Sequence, residues 1–131
     1  MSIRRQPYND GLGPVFEIIG GKWKGVLLWE LNAGPVRFGA LKRRVKGISE
    51  KILIQQLREM EADGLVHRKM FHQVPPRVEY SVTPLGASLN EALSPLCEWG
   101  KCNLVIEEGN RKFLNEMDTP SGCRNDEREM T

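Results

Sequence analysis

The fold of this chain is decided by the stretch from Ile48 to Gly86, ISEKILIQQLREMEADGLVHRKMFHQVPPRVEYSVTPLG. Its first half predicts one capped helix. Ser49 is a good N-cap because its hydroxyl can accept a hydrogen bond from a free backbone N–H in the first turn. The helix continues to Asp63 and ends at Gly64, since glycine tolerates the left-handed backbone that closes many helices.

The second half predicts a β-ribbon and the start of another helix. Residues 65–73 and 77–82 have strand character, and apolar and polar side chains alternate along the second of them. The segment Val74-Pro75-Pro76 forms the tip between the two strands. Thr83 caps and Pro84 opens a long helix, because proline is favoured at the first helical position.

Shorter elements precede this stretch. Residues 14–19 and 22–32 have helical patterns, 36–38 is a candidate for a small strand, and 40–45 predicts a short basic helix that a glycine-containing turn joins to Ser49. Two short helices joined by such a turn and followed by a hairpin are the layout of a winged helix-turn-helix, which places one helix in a DNA major groove. We therefore expect an α+β fold, mostly α, with a two- to three-stranded wing sheet.

The chain divides into three segments on this basis. Residues 1–12 form a flexible N-terminal arm, and 13–117 form the winged helix-turn-helix domain. That domain ends in helices over about 84–117, in which roughly 103–117 is a separate helical stretch. Residues 118–131 are polar, and we expect them to be a disordered tail.

Composition and length favour one globular domain in a reducing compartment. The chain has 131 residues, of which 40% are hydrophobic and 27% charged. It has no apolar run near the roughly 20 residues of a membrane span and no apolar segment typical of a secretion signal. Three cysteines without paired spacing argue against a disulfide scaffold. We therefore expect a cytoplasmic, nucleoid-associated protein with no membrane partner.

The charges are separated along the chain, although the net charge is only +2. Between Arg37 and Arg58 there are seven basic residues against the single acid Glu50, whereas acids predominate after Glu107. A basic middle and an acidic end are expected when one face meets phosphate. Alone, the basic run would be more simply explained as a solvated helix face; in the layout above it favours a DNA-binding surface.

The helix from Ser49 to Asp63 is expected to contact bases. With Leu53 at the centre of its buried side, the opposite side carries Lys51 and Gln55. Lysine and arginine can contact phosphate or guanine, glutamine can pair with adenine, and isoleucine can touch a thymine methyl. An arginine beside a proline-stiffened tip suits the minor groove or the backbone. The complete set of predicted DNA-contacting residues is Arg37, Lys42, Arg43, Ser49, Lys51, Ile54, Gln55, Arg58, Arg68, Lys69, His72 and Arg77.

The sequence resembles the HxlR-type winged helix-turn-helix regulators, which are related to the MarR group. The matching segments are IGGKWKGVLLWEL (19–31), GPVRFGALKRRVKGISEKILIQQLREMEADGLVHRK (34–69), VPPRVEYSVTPLG (74–86) and LCEWG (96–100). The resemblance implies a homodimer formed largely by the terminal helices. It also implies a pseudo-palindromic operator, with two recognition helices in successive major grooves about one DNA turn (~34 Å) apart. Repression is the commoner outcome in such a family.

A redox branch of the family carries a Cys-Pro-Val pattern at its first helix. This chain has Gly13-Pro14-Val15 there, so that switch does not carry over. Cys97 and Cys102 remain as candidate redox residues. Cys97 is more simply explained as a small buried residue, and Cys102 points away from it on a helix, which disfavours a bond between them. Cys102 could instead meet its own copy across a dimer axis.

Other classes of function fit the sequence less well than DNA binding. Catalysis is rejected because the sequence offers no nucleophile–base pair, carboxylate pair, phosphate loop or metal set, and we expect no cofactor. One alternative is a regulator that responds to a small aromatic or apolar effector, with a pocket at the dimer helices lined by Phe16, Trp23, Trp29 and Trp99. Core packing is the commoner role for such aromatic residues. The other alternative, a protein-interaction module without DNA binding, is disfavoured by the basic residues on the predicted reading helix and wing.

Overall fold

A computed structural model of the chain describes residues 11–107 and 110–113. Helices and strands are numbered here in chain order. They are α1 (Leu12–Ile19), α2 (Lys24–Glu30), β1 (Val36–Arg37), α3 (Phe38–Arg44), α4 (Glu50–Ala62), β2 (Val66–Phe71), β3 (Arg77–Val82), α5 (Pro84–Asn103), β4 (Leu104–Glu107) and β5 (Asn110–Phe113). Within this part of the chain, no helix is both long and apolar enough to span a bilayer. Most of the predicted arm, and all of the predicted tail, lie outside the described residues.

The predicted winged helix-turn-helix is confirmed. Helices α3 and α4 form the helix-turn-helix, and the wing is a three-stranded antiparallel sheet with the order β1-β3-β2. β1 pairs Val36 with Tyr80 on β3, so residues 36–37 of the predicted segment 36–38 supply the third strand, whereas Phe38 begins α3. The peptide bond between Val74 and Pro75, at the tip of the wing, is cis.

The core lies where the three-helix layer of α2, α3 and α4 meets the inner face of the wing. Its side chains are aliphatic and almost completely excluded from solvent. The largest of them are Leu27, Leu28, Leu31, Leu41, Leu53, Leu57, Met60 and Val66. Burying one leucine completely contributes roughly 1.5–3 kcal/mol, so the helices are held mainly by this cluster.

Both ends of α4 are closed by local hydrogen bonds. At the start, the Ser49 hydroxyl accepts a hydrogen bond of 3.1 Å from the backbone N–H of Ile52, as predicted. At the end, the N–H of Leu65 donates to the carbonyl of Met60 at 2.9 Å, and Gly64 adopts a φ of 76°. This is a Schellman closure, which needs a residue that accepts positive φ. The chain therefore leaves α4 directly into β2.

Thr83 joins the end of α4 to the start of α5. Its hydroxyl donates to the carbonyl of Gly64 at 2.6 Å, with a longer contact of 3.2 Å to that of Leu65, and it accepts from the N–H of Gly86 at 3.0 Å. Gly86 is buried, and a Cβ at this position would overlap the Leu65 carbonyl oxygen. The first turn of α5 therefore packs against the backbone that follows α4.

Asn90 connects α5 to the end of α2. Its side-chain amide donates a buried hydrogen bond of 2.9 Å to the carbonyl of Leu28. Leu28 is in the last turn of α2, where carbonyls have no partner inside the helix. A side chain 62 positions along the chain thus satisfies this carbonyl.

The helical stretch predicted from about 103 to 117 is wrong for its described part. There the chain forms the antiparallel pair β4 and β5, in which Leu104 pairs with Phe113 and Glu107 with Asn110. Val105 and Ile106 are β-branched and therefore favour a strand over a helix.

The chain divides into two compact units, one ending at Asn90 and the other beginning at Glu91, so the boundary falls within α5.

Replacing Thr83 by valine should destabilise the fold by about 1–3 kcal/mol, because buried backbone groups lose their hydroxyl partner. Equilibrium urea unfolding measures this change. Ser88→Ala is the matched control. The Ser88 hydroxyl, on α5, also donates to a backbone carbonyl, that of Leu85, but this hydrogen bond is exposed to solvent. The control should change stability by less than about 0.5 kcal/mol. Equal effects of the two substitutions would contradict the role assigned to Thr83.

Candidate nucleic-acid interface

Helix α4 presents one buried and one exposed side. Leu53, Leu57 and Met60 are completely buried, as the helical wheel predicts. Lys51 and Gln55 are exposed on the other side, and Arg58 is exposed with them. Packing of the apolar stripe fixes the rotation of the helix, so these polar side chains point away from the core.

Two concave surfaces meet along the exposed side of α4. One is a shallow depression on the helix itself, lined by Lys51, Gln55 and neighbouring residues. The other is a cleft of about 800 Å³ between α4 and the wing. Ile54 and Arg58 line both, so the two surfaces are continuous.

The cleft between α4 and the wing is strongly basic. Among the described residues that line it, four are arginines and one, Glu61, is an acid. The arginines come from β1, α4 and the two wing strands, and they are Arg37, Arg58, Arg68 and Arg77. Aromatic and proline side chains complete its walls, and they are Phe38, Tyr80, Pro75 and Pro76. A concave surface with this charge is suited to a phosphate-bearing ligand.

Two arginines of the cleft, Arg37 and Arg77, also share a face of the wing sheet with Lys69 and Glu79. Glu79 on β3 lies directly opposite Arg37 on β1 and Lys69 on β2, so these three side chains share one face of the sheet. The Oε1 atom of Glu79 lies 3.4 Å from Nε of Arg77. Of the predicted DNA-contacting cations, Arg77 thus forms an ion pair with Glu79, and Arg37 and Lys69 are the cross-strand neighbours of Glu79.

Helix α3 supplies Lys42 and Arg43, both exposed in its last turn. Cations are favoured at this end of a helix because the macrodipole is negative there. Their position therefore has a local electrostatic reason in addition to any contact with phosphate. His72 is exposed just beyond β2, close to the wing tip in sequence.

Four residues important to this geometry were not predicted from the sequence. Phe71 and Glu79 lie beside the wing cations, and strand alternation could have revealed them, because they share a face with Lys69 and Arg77. Lys24 and Glu59 form an ion pair of 2.8 Å between α2 and α4. Because this pair joins residues far apart in sequence, no local pattern predicts it.

The aromatic residues suggested for an effector pocket are largely exposed. Phe16 is 53%, Trp29 41% and Trp99 42% accessible, and Trp23 is half-buried with the Lys22 ammonium 4.7 Å from its ring centroid. Trp99 belongs to the unit that begins at Glu91, whereas the others belong to the first unit. The effector pocket at these residues therefore stays a prediction.

The two candidate redox cysteines differ in their bonding. Cys97 is a free, half-buried thiol. Cys102 is disulfide-bonded. The bond therefore does not join these two positions of α5, in agreement with their separation on the helix.

The family model for the HxlR-like helix-turn-helix matches residues 18–108. The HTH-type transcriptional regulator YkvN of Bacillus subtilis (strain 168) is 60% identical over 93 residues, which cover 71% of this chain and 79% of YkvN. The regulator YybR of the same strain is 45% identical over 115 residues, covering 85% and 92% of the two chains.

Solved structures agree with these sequence matches. The redox regulator HypR in its oxidized form superposes with a TM-score of 0.68 at 43% identity, covering 72% of this chain and 98% of HypR. A MarR-family transcriptional regulator from Enterococcus faecalis V583 gives a TM-score of 0.67 at 44% identity, covering 77% and 92%. Each structural match therefore covers nearly the whole of the compared chain.

The fold, its basic exposed helix and these matches define a DNA-binding transcriptional regulator of the winged helix-turn-helix class. The chain belongs to the HxlR-like helix-turn-helix family, as its sequence segments indicated. Its relatives are regulators of transcription and not enzymes, which agrees with the expectation from sequence.

The ion pair that holds α4 against α2 should respond asymmetrically to substitution. The Lys24 side chain is 13% exposed and that of Glu59 is 44% exposed. Glu59→Ala leaves a mostly buried ammonium without its partner and should cost about 1–2 kcal/mol, whereas Lys24→Met replaces that ammonium by an apolar chain and should cost less than about 0.5 kcal/mol. Urea unfolding of the two variants measures both values. A Lys24→Met variant as unstable as Glu59→Ala would contradict this assignment.

Proposed function

We propose that this protein is a sequence-specific repressor that binds a pseudo-palindromic operator as a homodimer. Helix α4 enters the major groove, and the wing contacts the backbone or the adjacent minor groove. The observation that carries the proposal is the continuity between the exposed side of α4 and the arginine-lined cleft beside the wing. A DNA strand that follows this surface meets base-contacting and phosphate-contacting side chains in turn.

The side chains on α4 support base-specific contact. Gln55 is exposed at the centre of the outward face and carries both a donor and an acceptor, the combination that pairs with adenine. Ile54 lies beside it and offers an apolar contact for a thymine methyl. Lys51 and Arg58, about one helical turn on either side of Gln55, supply charge for phosphate or guanine. Ser49 lies at the N-terminal end of α4, where backbone N–H groups favour phosphate.

Exposed apolar side chains on the terminal helices support the homodimer. On α1, Leu12 is 61% and Phe16 is 53% accessible. On α5, Leu96 and Trp99 are exposed as well. Large apolar side chains that remain open to solvent in one chain are suited to burial against a second copy. A homodimer of this kind matches the two-fold symmetry of a palindromic operator.

The proposed regulator does not use a cysteine at its first helix as a switch. Gly13 precedes Pro14, so this position has no thiol to oxidise.

Binding to DNA also implies a cytoplasmic, nucleoid-associated location.

Gln55→Ala should remove the preference for one base at one position of each half-site, at a cost of about 1–3 kcal/mol on the preferred sequence. The measurement is selection of bound duplexes from a random-sequence pool, followed by sequencing and by anisotropy titration of the selected duplex. Gln56→Ala is the matched control, because Gln56 is the next residue of α4 but is partly buried and does not line the depression. An unchanged base preference in Gln55→Ala would contradict the assigned reading face.

A further inference from the structure

The ring of Phe71 has two cations of the wing beside it. Nζ of Lys69 lies 4.8 Å and Cζ of Arg77 lies 4.0 Å from the ring centroid. Arg77 is the direct cross-strand partner of Phe71, and Lys69 precedes Phe71 by two positions on β2. The three side chains therefore share one face of the sheet, on the side opposite to the buried Tyr80.

Both distances are short enough for a cation–π interaction, in which the negative face of the ring attracts the charge. The guanidinium of arginine is planar and also stacks well on an aromatic ring. Phe71 is half-buried and is not part of the core cluster between the helices and the wing. Packing of the core therefore does not account for an aromatic residue at this position, whereas contact with the two cations does.

Glu79 is the other side chain in contact with the guanidinium of Arg77. Its carboxylate lies 3.4 Å from Nε of Arg77, but that Nε is buried and forms no hydrogen bond. The ion pair thus supplies attraction without a directional bond. The ring of Phe71, whose centroid is 4.0 Å from Cζ of Arg77, is a second contact of the same guanidinium.

We propose that Phe71 is a positioning residue for DNA binding: its ring holds Arg77 and Lys69 in the conformations in which they meet phosphate. The inference rests on the proposed function, because it assigns a task to the wing cations of that same interface. A flexible arginine or lysine loses rotamer freedom when it binds phosphate, and a side chain already held in place loses less. Phe71 therefore strengthens binding without touching DNA.

The test uses the wild-type protein, Phe71→Leu and Phe71→Tyr, titrated by fluorescence anisotropy against a labelled duplex that the wild-type protein has selected from a random pool. Phe71→Leu removes the ring and should bind about three- to tenfold more weakly. Its plot of log affinity against log salt should also be shallower, by about one unit of slope. Phe71→Tyr keeps the ring and should bind within about twofold of wild type, since tyrosine also forms cation–π contacts.

A double-mutant cycle with Arg77→Ala separates positioning from a general effect on the strand. In the Arg77→Ala background, Phe71→Leu should lose most of its effect, because only the contact with Lys69 remains to be removed. Met70→Ala is the matched control: Met70 is the neighbouring exposed apolar residue of β2 and should leave affinity unchanged. Thermal unfolding of each variant verifies that it is folded. Phe71→Ile, which retains a strong strand preference, takes the place of Phe71→Leu if the leucine variant does not fold.

Three results would overturn the inference while the proposed function stands. The first is a folded Phe71→Leu protein with wild-type affinity and salt dependence. The second is an equal loss of affinity in the Phe71→Leu and Phe71→Tyr variants, and the third is an undiminished effect of Phe71→Leu in the Arg77→Ala background. If the wild-type protein selects no duplex from the pool, the proposed function fails, and this inference fails with it.

Discussion

Burial of the stripe formed by Leu53, Leu57 and Met60 is the constraint on which the rest of the structure depends. These three side chains are completely excluded from solvent, and each contributes on the order of 1.5–3 kcal/mol. A rotation of α4 about its axis would expose them, so the helix has one stable orientation. Lys51 and Gln55 consequently face outward, and no further interaction is needed to orient them. The surface that meets DNA is therefore a consequence of the core.

The arrangement of charge matters more in this protein than its amount. The net charge of +2 is small, yet four arginines line one cleft beside α4, and two of them share a face of the wing with Lys69. Cations concentrated on one side of a molecule create a local potential that the total charge does not reveal.

Local sequence patterns predicted the winged helix-turn-helix well, and they failed where contacts between distant residues decide the structure. Ser49, Gly64 and Pro84 mark the ends of helices because caps and stops act over a few residues. The hydrogen bond from Asn90 to Leu28 and the ion pair of Lys24 with Glu59 have no such local signal. The wrong helix from about 103 onward has a different cause, because β4 and β5 are neighbours in sequence and the β-branched Val105 and Ile106 favour extended backbone locally. In the candidate site, a helical wheel predicts which single residues of α4 face outward. The arginines that line one cleft come from separate elements, so their grouping is visible only in the folded chain.

The central claim is that α4 enters the major groove as part of a two-fold symmetric pair. Hydroxyl-radical and methylation-interference footprinting on a duplex selected by the protein tests it most directly. The account predicts two patches of protected backbone related by a two-fold axis, with interference at guanine N7 in two major-groove segments about 10 base pairs apart. A single asymmetric patch, or protection without any interference in the major groove, would contradict it.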